Sequence, residues 1–215
     1  MTDIQQLIRD RNTDAIITLY QQTPDVFLGV DVFSLSCLYG NIALIIWLNQ
    51  SITEYSSEKA SCSDNSLLWA IKNNHLIVVR WLLNKRPEFS YGGIKLNFKP
   101  LEEAVKNGHL DIVIEIYNYL RDKTKAFKSR FGCLKKSLLY AMTDNFYFIV
   151  KWILSIDSTY LTETYILYIT EIGNLSMLKF LHKLDKTYLQ RANKLIIHAK
   201  KYNRTEIVEW INKNI

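Results

Sequence analysis

Four histidines and three cysteines are the side chains best suited to chemistry in this 215-residue chain. A protein zinc site needs three or four nitrogen, sulfur or carboxylate ligands that converge on one ion. His182 and His198 have no Cys or carboxylate at ligand spacing. Cys37, Cys62 and Cys133 lie far apart, form no CxxC pair and are odd in number, so neither a structural zinc nor a redox pair is expected, and a reducing compartment suits them. Cys133 falls in a basic stretch that would favour its thiolate. A nucleophile also needs a base held by a third group, and no such His–Asp or His–Asn constellation accompanies it. Tyr91-Gly92-Gly93 is a lone glycine pair, read as a turn and not as a phosphate loop. Glu102-Glu103 opens a helix, where negative charge suits the helix dipole. The expectation is therefore no catalytic residue, no metal and no cofactor.

Charge marks one further stretch. Between positions 121 and 136, Arg121, Lys123, Lys125, Lys128, Arg130, Lys135 and Lys136 stand against a single acid, with Phe127 and Phe131 interleaved. Such a run is either a solvated loop or a patch for an acidic protein, a nucleic acid or an anionic surface. The chain as a whole carries a formal net charge of +6 with 48% hydrophobic residues, a globular composition in which charge alone does not select a partner. Residues 42–48 form the longest unbroken apolar run, far short of the roughly 20 residues that cross a bilayer. Residues 1–10 lack a signal-peptide core. The expectation is a monomeric protein of the cytoplasm, without membrane insertion.

The elements that would carry these residues emerge from an internal repeat. Four of the five tryptophans share one setting: Ile-Ile-Trp47-Leu, Val-Arg-Trp81-Leu, Val-Lys-Trp152-Ile and Val-Glu-Trp210-Ile. Seven residues before them stand Gly40, Asn74, Asn145 and Asn203, and the same frame finds Gly108, Gly173 and, more weakly, Arg11. These seven anchors are separated by 29, 34, 34, 37, 28 and 30 residues, a mean of 32. Four, five and eight positions after each anchor the residues are apolar, as in Val78, Val79 and Leu82, which is one face of a helix. Four before it stands a small residue in Ala70, Ala104, Ala141 and Ala199 (Ser36, Leu7 and Ile169 elsewhere), and seven before it an apolar one such as Phe33 or Leu67. Each unit therefore reads as a short helix, a tight turn and a second helix, with Gly or Asn closing the first helix because these residues enter the left-handed region at least cost.

The segment Pro100-Leu-Glu-Glu-Ala-Val-Lys-Asn-Gly108-His-Leu-Asp-Ile-Val resembles an ankyrin repeat, and Asn74-His75-Leu76 and Gly173-Asn174-Leu175 are similar to the same stretch. The resemblance runs over nearly the whole chain at about one match per period. It implies an all-α, ankyrin-like helical repeat solenoid of six to seven helix-turn-helix units. It also implies a single domain over residues 1–215, whose first and last units act as caps. It places His75 and His109 at the repeat's own, structural, histidine position. The Thr-Pro-Leu-His opening is reduced to Lys99-Pro100-Leu101 and its weaker counterparts, and the hairpin between repeats is mostly missing, so irregular inter-repeat loops are expected. Tetratricopeptide-like stacking is the alternative, distinguished by helices of equal length. Degenerate repeats of this kind look like those of intracellular bacteria, large DNA viruses and protists.

What the resemblance implies about function is binding, not catalysis. The partner, another protein with an acidic surface, would meet the concave side, built from the first-helix ends and the loops. On that basis the expected contact residues are Tyr39, Asp64, Trp69, Lys72, Asn73, Phe98, Lys106, Asn107, Lys135, Thr143, Asp144, Glu171, Lys201 and Tyr202. The likeness extends to a scaffold that acts on proteins of a host, in the host cytoplasm. The four aligned tryptophans are expected to pack between neighbouring second helices, with Trp69 left at the surface. The alternative is a nucleic-acid or anionic-surface binder that uses the basic stretch from Arg121 to Lys136.

Overall fold

All seven anchors have a backbone φ between +56° and +83°, and they are the positive-φ residues of the described chain. The computed structural model describes residues 4–27, 30–51, 65–85, 98–123, 132–190 and 192–215. Each anchor sits between two helices, and among the described residues the anchors divide fourteen α-helices into seven pairs. The pairs are α1 (Ile4–Arg9) with α2 (Thr13–Gln22), α3 (Val32–Tyr39) with α4 (Ile42–Ser51), α5 (Asn65–Lys72) with α6 (Leu76–Lys85), and α7 (Lys99–Lys106) with α8 (Leu110–Lys123). They continue with α9 (Gly132–Thr143) and α10 (Tyr147–Ile156), α11 (Glu163–Glu171) and α12 (Leu175–Leu184), and α13 (Ala192–Lys201) and α14 (Thr205–Asn214). No strand occurs among the described residues.

The turn is the same in every pair. The N–H of the residue after the anchor bonds the carbonyl five residues back, as in Asn12 to Leu7 (3.0 Å), His75 to Ala70 (2.9 Å), Phe146 to Ala141 (2.9 Å) and Arg204 to Ala199 (2.8 Å). In most pairs the anchor's own N–H reaches the carbonyl three back, as in Gly108 to Val105 (3.0 Å) and Asn203 to Lys200 (3.1 Å). These two bonds satisfy carbonyls that a helix end leaves open, and they require the left-handed residue between them. The next residue also starts the second helix. Asn12, Asn41 and Asn174 accept the N–H of Ala15, Leu44 and Met177 on their side-chain oxygens, the arrangement of an N-cap, which typically stabilises by about 1 kcal/mol.

The apolar columns are the core. Phe33, Leu67, Leu101 and Leu138 on the first helices, and Leu48, Leu82, Ile116, Ile153 and Leu181 on the second, are buried. So are the small residues Ser36, Ala70, Ala104, Ala141 and Ala199, where a larger side chain would hold the helices apart. A fully buried Leu or Phe stabilises by about 1.5–3 kcal/mol relative to its exposed state. The chain forms two compact units, Met1–Thr124 and Lys125–Ile215, a finer division than the single domain that the repeat spacing implies. In the first, α1 packs on α3, α3 on α5, α5 on α7, and α6 on α8. A hydrogen bond between the buried hydroxyls of Ser34 and Ser66 (2.7 Å) links α3 to α5. In the second, α9 packs on α11, α11 on α13, and α10 on α12.

Two expectations change. The first helix is the shorter of its pair throughout the first unit, but α9 has 12 residues against 10 in α10, and α13 and α14 have 10 each. The loops were expected to be irregular, yet the two in the second unit are alike: Asp157-Ser-Thr-Tyr160-Leu161 and Asp185-Lys-Thr-Tyr188-Leu189, each a 3-10 turn. Each Asp carboxylate accepts the N–H of the Thr two residues on, at 2.9 and 2.8 Å. The Thr159 hydroxyl, which donates to Asp157 Oδ1 at 2.7 Å, and after it the Thr159 N–H hold the Asp157 carboxyl below its ordinary pKa. The Thr187 N–H, followed by the Thr187 hydroxyl, does the same for Asp185.

Candidate interaction surface

The residue after four of the anchors joins its helix pair to the preceding one within the same unit. His75 opens α6, and its Nε2 lies 2.9 Å from the carbonyl oxygen of Leu38 at the end of α3. A carbonyl only accepts, so this ring carries its proton on Nε2. One period on, His109 Nε2 stands 3.2 Å from the carbonyl of Lys72. In the second unit Asn174 Nδ2 donates to Met142 O at 3.1 Å, and Arg204 Nε donates to Glu171 O at 2.7 Å. Arg11 reaches the same kind of target from the other side, donating Nε to Tyr39 O at 2.7 Å. These bonds satisfy carbonyls at the first-helix C-termini, and they bring that end of each helix against the next turn. Burial lowers the His75 pKa, the Leu38 carbonyl opposes that shift, and the Arg11 charge adds to it. The imidazole is neutral at pH 7.

Most of the expected contact residues lie toward these helix ends, whereas Phe98 caps the start of α7 and Lys135 stands in the first turn of α9. In the first unit Lys72, Asn73, Lys106 and Asn107 are exposed, and Tyr39, Trp69 and Phe98 are half-buried. The Arg9 guanidinium stands 5.6 Å over the Tyr39 ring. The structure brings Lys72 and Asn107 together through Glu103. Lys72 Nζ is 3.4 Å from Glu103 Oε1, and Asn107 Nδ2 donates to the Glu103 carbonyl at 2.8 Å. The sequence pattern had placed Glu103 only as a helix-dipole residue. Its carboxylate lies among the lysines of the middle repeats and offsets the basic character expected there. The −5 spacing from Gly108 was the available signal, because it places Glu103 on the same exposed helix edge as Trp69.

In the second unit Asp144, Lys135 and Lys201 are exposed, and Thr143, Glu171 and Tyr202 are half-buried. Thr143 Oγ1 donates back to Leu139 O at 2.8 Å, which turns its hydroxyl to its own helix. His198 of α13 lies between Glu171 and Tyr202. Its Nε2 is 3.6 Å from Glu171 Oε2, and its ring lies 5.0 Å from that of Tyr202, over which Lys201 Nζ sits at 5.3 Å. Lys136 Nζ stands 5.7 Å above the Tyr140 ring.

Of the basic stretch, Arg121 pairs with its neighbour Asp122 at 3.1 Å, and Lys135 and Lys136 are exposed on α9. Lys125, Lys128, Arg130 and Asp64 lie outside the described residues, as do the side chain of Lys123, Cys62 and the Tyr91-Gly92-Gly93 turn. The tryptophans are half-buried. Trp47 meets Tyr20 edge-on at 5.5 Å between α4 and α2, and Trp210 meets His182 at 5.6 Å between α14 and α12. Trp69, expected at the surface, is half-buried on α5. Cys37 is buried. Among the described residues, no three His, Cys, Asp or Glu side chains are grouped to hold a metal ion, and no helix is long and apolar enough to cross a membrane. Comparison with models of protein families, with curated proteins and with solved structures finds no match for this chain.

Proposed function

We propose that this chain is a non-catalytic, ankyrin-like repeat scaffold that binds another protein through the C-terminal ends of its first helices and the turns that follow them. The observation that supports this most is the uniform left-handed turn at all seven anchors. A turn of fixed geometry repeated every 28 to 37 residues sets the same edge of neighbouring helix pairs side by side within each unit. Residues on that edge of one unit then form one surface and not a set of separate tips. The edge carries exposed Lys and Asn and half-buried Tyr and Trp side chains, the kind of mixed aromatic and long polar surface that suits a protein contact. Its action as a monomer in the cytoplasm belongs to the same reading.

The test is affinity capture with the Lys72→Glu/Lys106→Glu variant. Both side chains are exposed, so circular dichroism should report unchanged helicity. The expected result is loss of the proteins captured by the parent chain. Recovery of the same proteins in the same yield would overturn the assignment of this edge. Because Lys72 stands against Glu103, Glu103→Gln serves as the control for the lost pair: it should leave capture intact.

A further inference from the structure

The two units differ in charge. Lys125–Ile215 carries 15 Lys and Arg against 7 Asp and Glu, a net of +8, and Met1–Thr124 carries 12 against 14, a net of −2. Four of the seven carboxylates in the basic unit are occupied locally: Asp157 and Asp185 by the Thr N–H groups of their turns, Glu163 by Lys194 and Glu171 by His198. Three of the fifteen cations stand on a pair of neighbouring second helices that carry no acid. Neither α10 (YFIVKWILSI) nor α12 (LSMLKFLHKL) contains a carboxylate, and Lys151, Lys179 and Lys183 are exposed on them. Phe148, on the same face of α10 as Lys151, is 78% exposed. Its sequence neighbour Tyr147 packs its ring at 4.9 Å against Phe180 of α12, which ties the two helices together at this end of α10.

An exposed large aromatic with Lys151 one turn along its own helix, and two further exposed lysines on the helix packed beside it, offers the parts of a hot spot: an apolar anchor point and polar groups for its border. Its counterpart needs negative charge for the rim and an apolar or aromatic side chain for Phe148. All three cations are lysines, point charges without the planar fork of arginine. They therefore suit carboxylates arriving at several positions better than one bidentate phosphate. A membrane would need more than one projecting apolar residue to hold the protein by insertion. We infer that the α10–α12 face of Lys125–Ile215 is a second docking surface, taking an acidic polypeptide segment that carries an aromatic or aliphatic anchor. This rests on the scaffold reading above but uses a different face, that of the second helices.

The experiment is fluorescence anisotropy on the full chain with two labelled probes, a glutamate–tyrosine copolymer and polyglutamate. Anionic phosphatidylserine vesicles and a single-stranded oligonucleotide are run in parallel. The copolymer should bind at low salt and weaken about tenfold or more in Lys151→Glu/Lys179→Glu/Lys183→Glu, since each exposed charge contact is worth a few-fold. Phe148→Ser should weaken the copolymer severalfold and leave polyglutamate unchanged, which separates the anchor from the charge. Both variants change exposed residues, and circular dichroism checks that they fold. Copolymer binding that is absent, or untouched by the triple charge reversal, overturns the inference. Loss of vesicle or oligonucleotide binding in Phe148→Ser, with the copolymer unaffected, overturns it in favour of those ligands. If Lys72→Glu/Lys106→Glu abolishes partner capture while the triple variant binds the copolymer like the parent chain, this face fails alone and the scaffold reading stands. If the copolymer result is as expected and capture is unaffected by Lys72→Glu/Lys106→Glu, the first-helix edge fails and this face stands.

Discussion

The imidazole of His75 lies directly over Gly40, so close that a Cβ on that glycine would stand 2.6 Å from the ring. One side chain of α6 thus seals the turn that closes α3 and also bonds the Leu38 carbonyl beside it. Gly40 is required twice, by its φ of +71° and by the ring above it.

Gly40→Ala should therefore cost more than an ordinary left-handed alanine. The backbone part is about 1 kcal/mol, and displacement of the His75 ring with loss of its hydrogen bond adds about 1 kcal/mol more. In a His75→Ala background only the backbone part should remain. A double-mutant cycle by urea denaturation measures the difference. Additive effects would show that the ring does not depend on the bare glycine.

His75 also predicts a pH dependence. Its pKa is lowered from 6.5 in the folded chain, chiefly by burial, so the unfolded chain takes up the proton first. The stability contributed by the neutral ring is fully present above pH about 6.5. It declines as the pH falls through the lowered value, and it levels off below that value. Replacement of His75 by Gln should flatten urea-melt stability across this window relative to the parent chain. An unchanged slope would place the titration elsewhere.

Asn203 holds a φ of +56°, a conformation that costs a non-glycine residue about 1 kcal/mol and that Asn tolerates better than most. Asn203→Gly should leave stability unchanged or raise it by up to about 1 kcal/mol. Asn203→Val, β-branched and excluded from the left-handed region, should lower it by more than about 1 kcal/mol. Thermal melts of the two variants should move in opposite directions or differ clearly in size.

Arg204 performs in the second unit the task of His75 in the first. Its side chain packs 3.2 Å from the Cβ position of Gly173, and its Nε bonds the Glu171 carbonyl. Arg204→Met keeps the stem over the glycine and removes the donor, and it should cost about 1 kcal/mol. Amide hydrogen exchange should be faster in α13 and α14 than in α9. Uniform loss of protection across the second unit would mean that the bond is not a local link between pairs.

The helix pairs were legible because their determinants are local. A residue able to adopt positive φ, an apolar face at helical spacing and a small residue before the turn all fall within about twenty positions. Chain geometry over that distance leaves little choice. The weak first copy at Arg11, without glycine or asparagine, still folds into the same turn, with a φ of +56°. The Asp-x-Thr-Tyr-Leu linkers are equally local, each closed by its own Asp and Thr.

What the sequence alone determined, then, is where the helices begin and turn. The tertiary structure decided the surface, because its pairings span 28 to 37 residues and depend on which helix edges meet. Glu103 joins Lys72 across two helix pairs, which no spacing rule within one repeat announces. Trp69 is half-buried and Phe148 is exposed. Periodicity identifies the apolar face of a helix, and only the packing of its neighbours settles how much of the adjoining edge they cover.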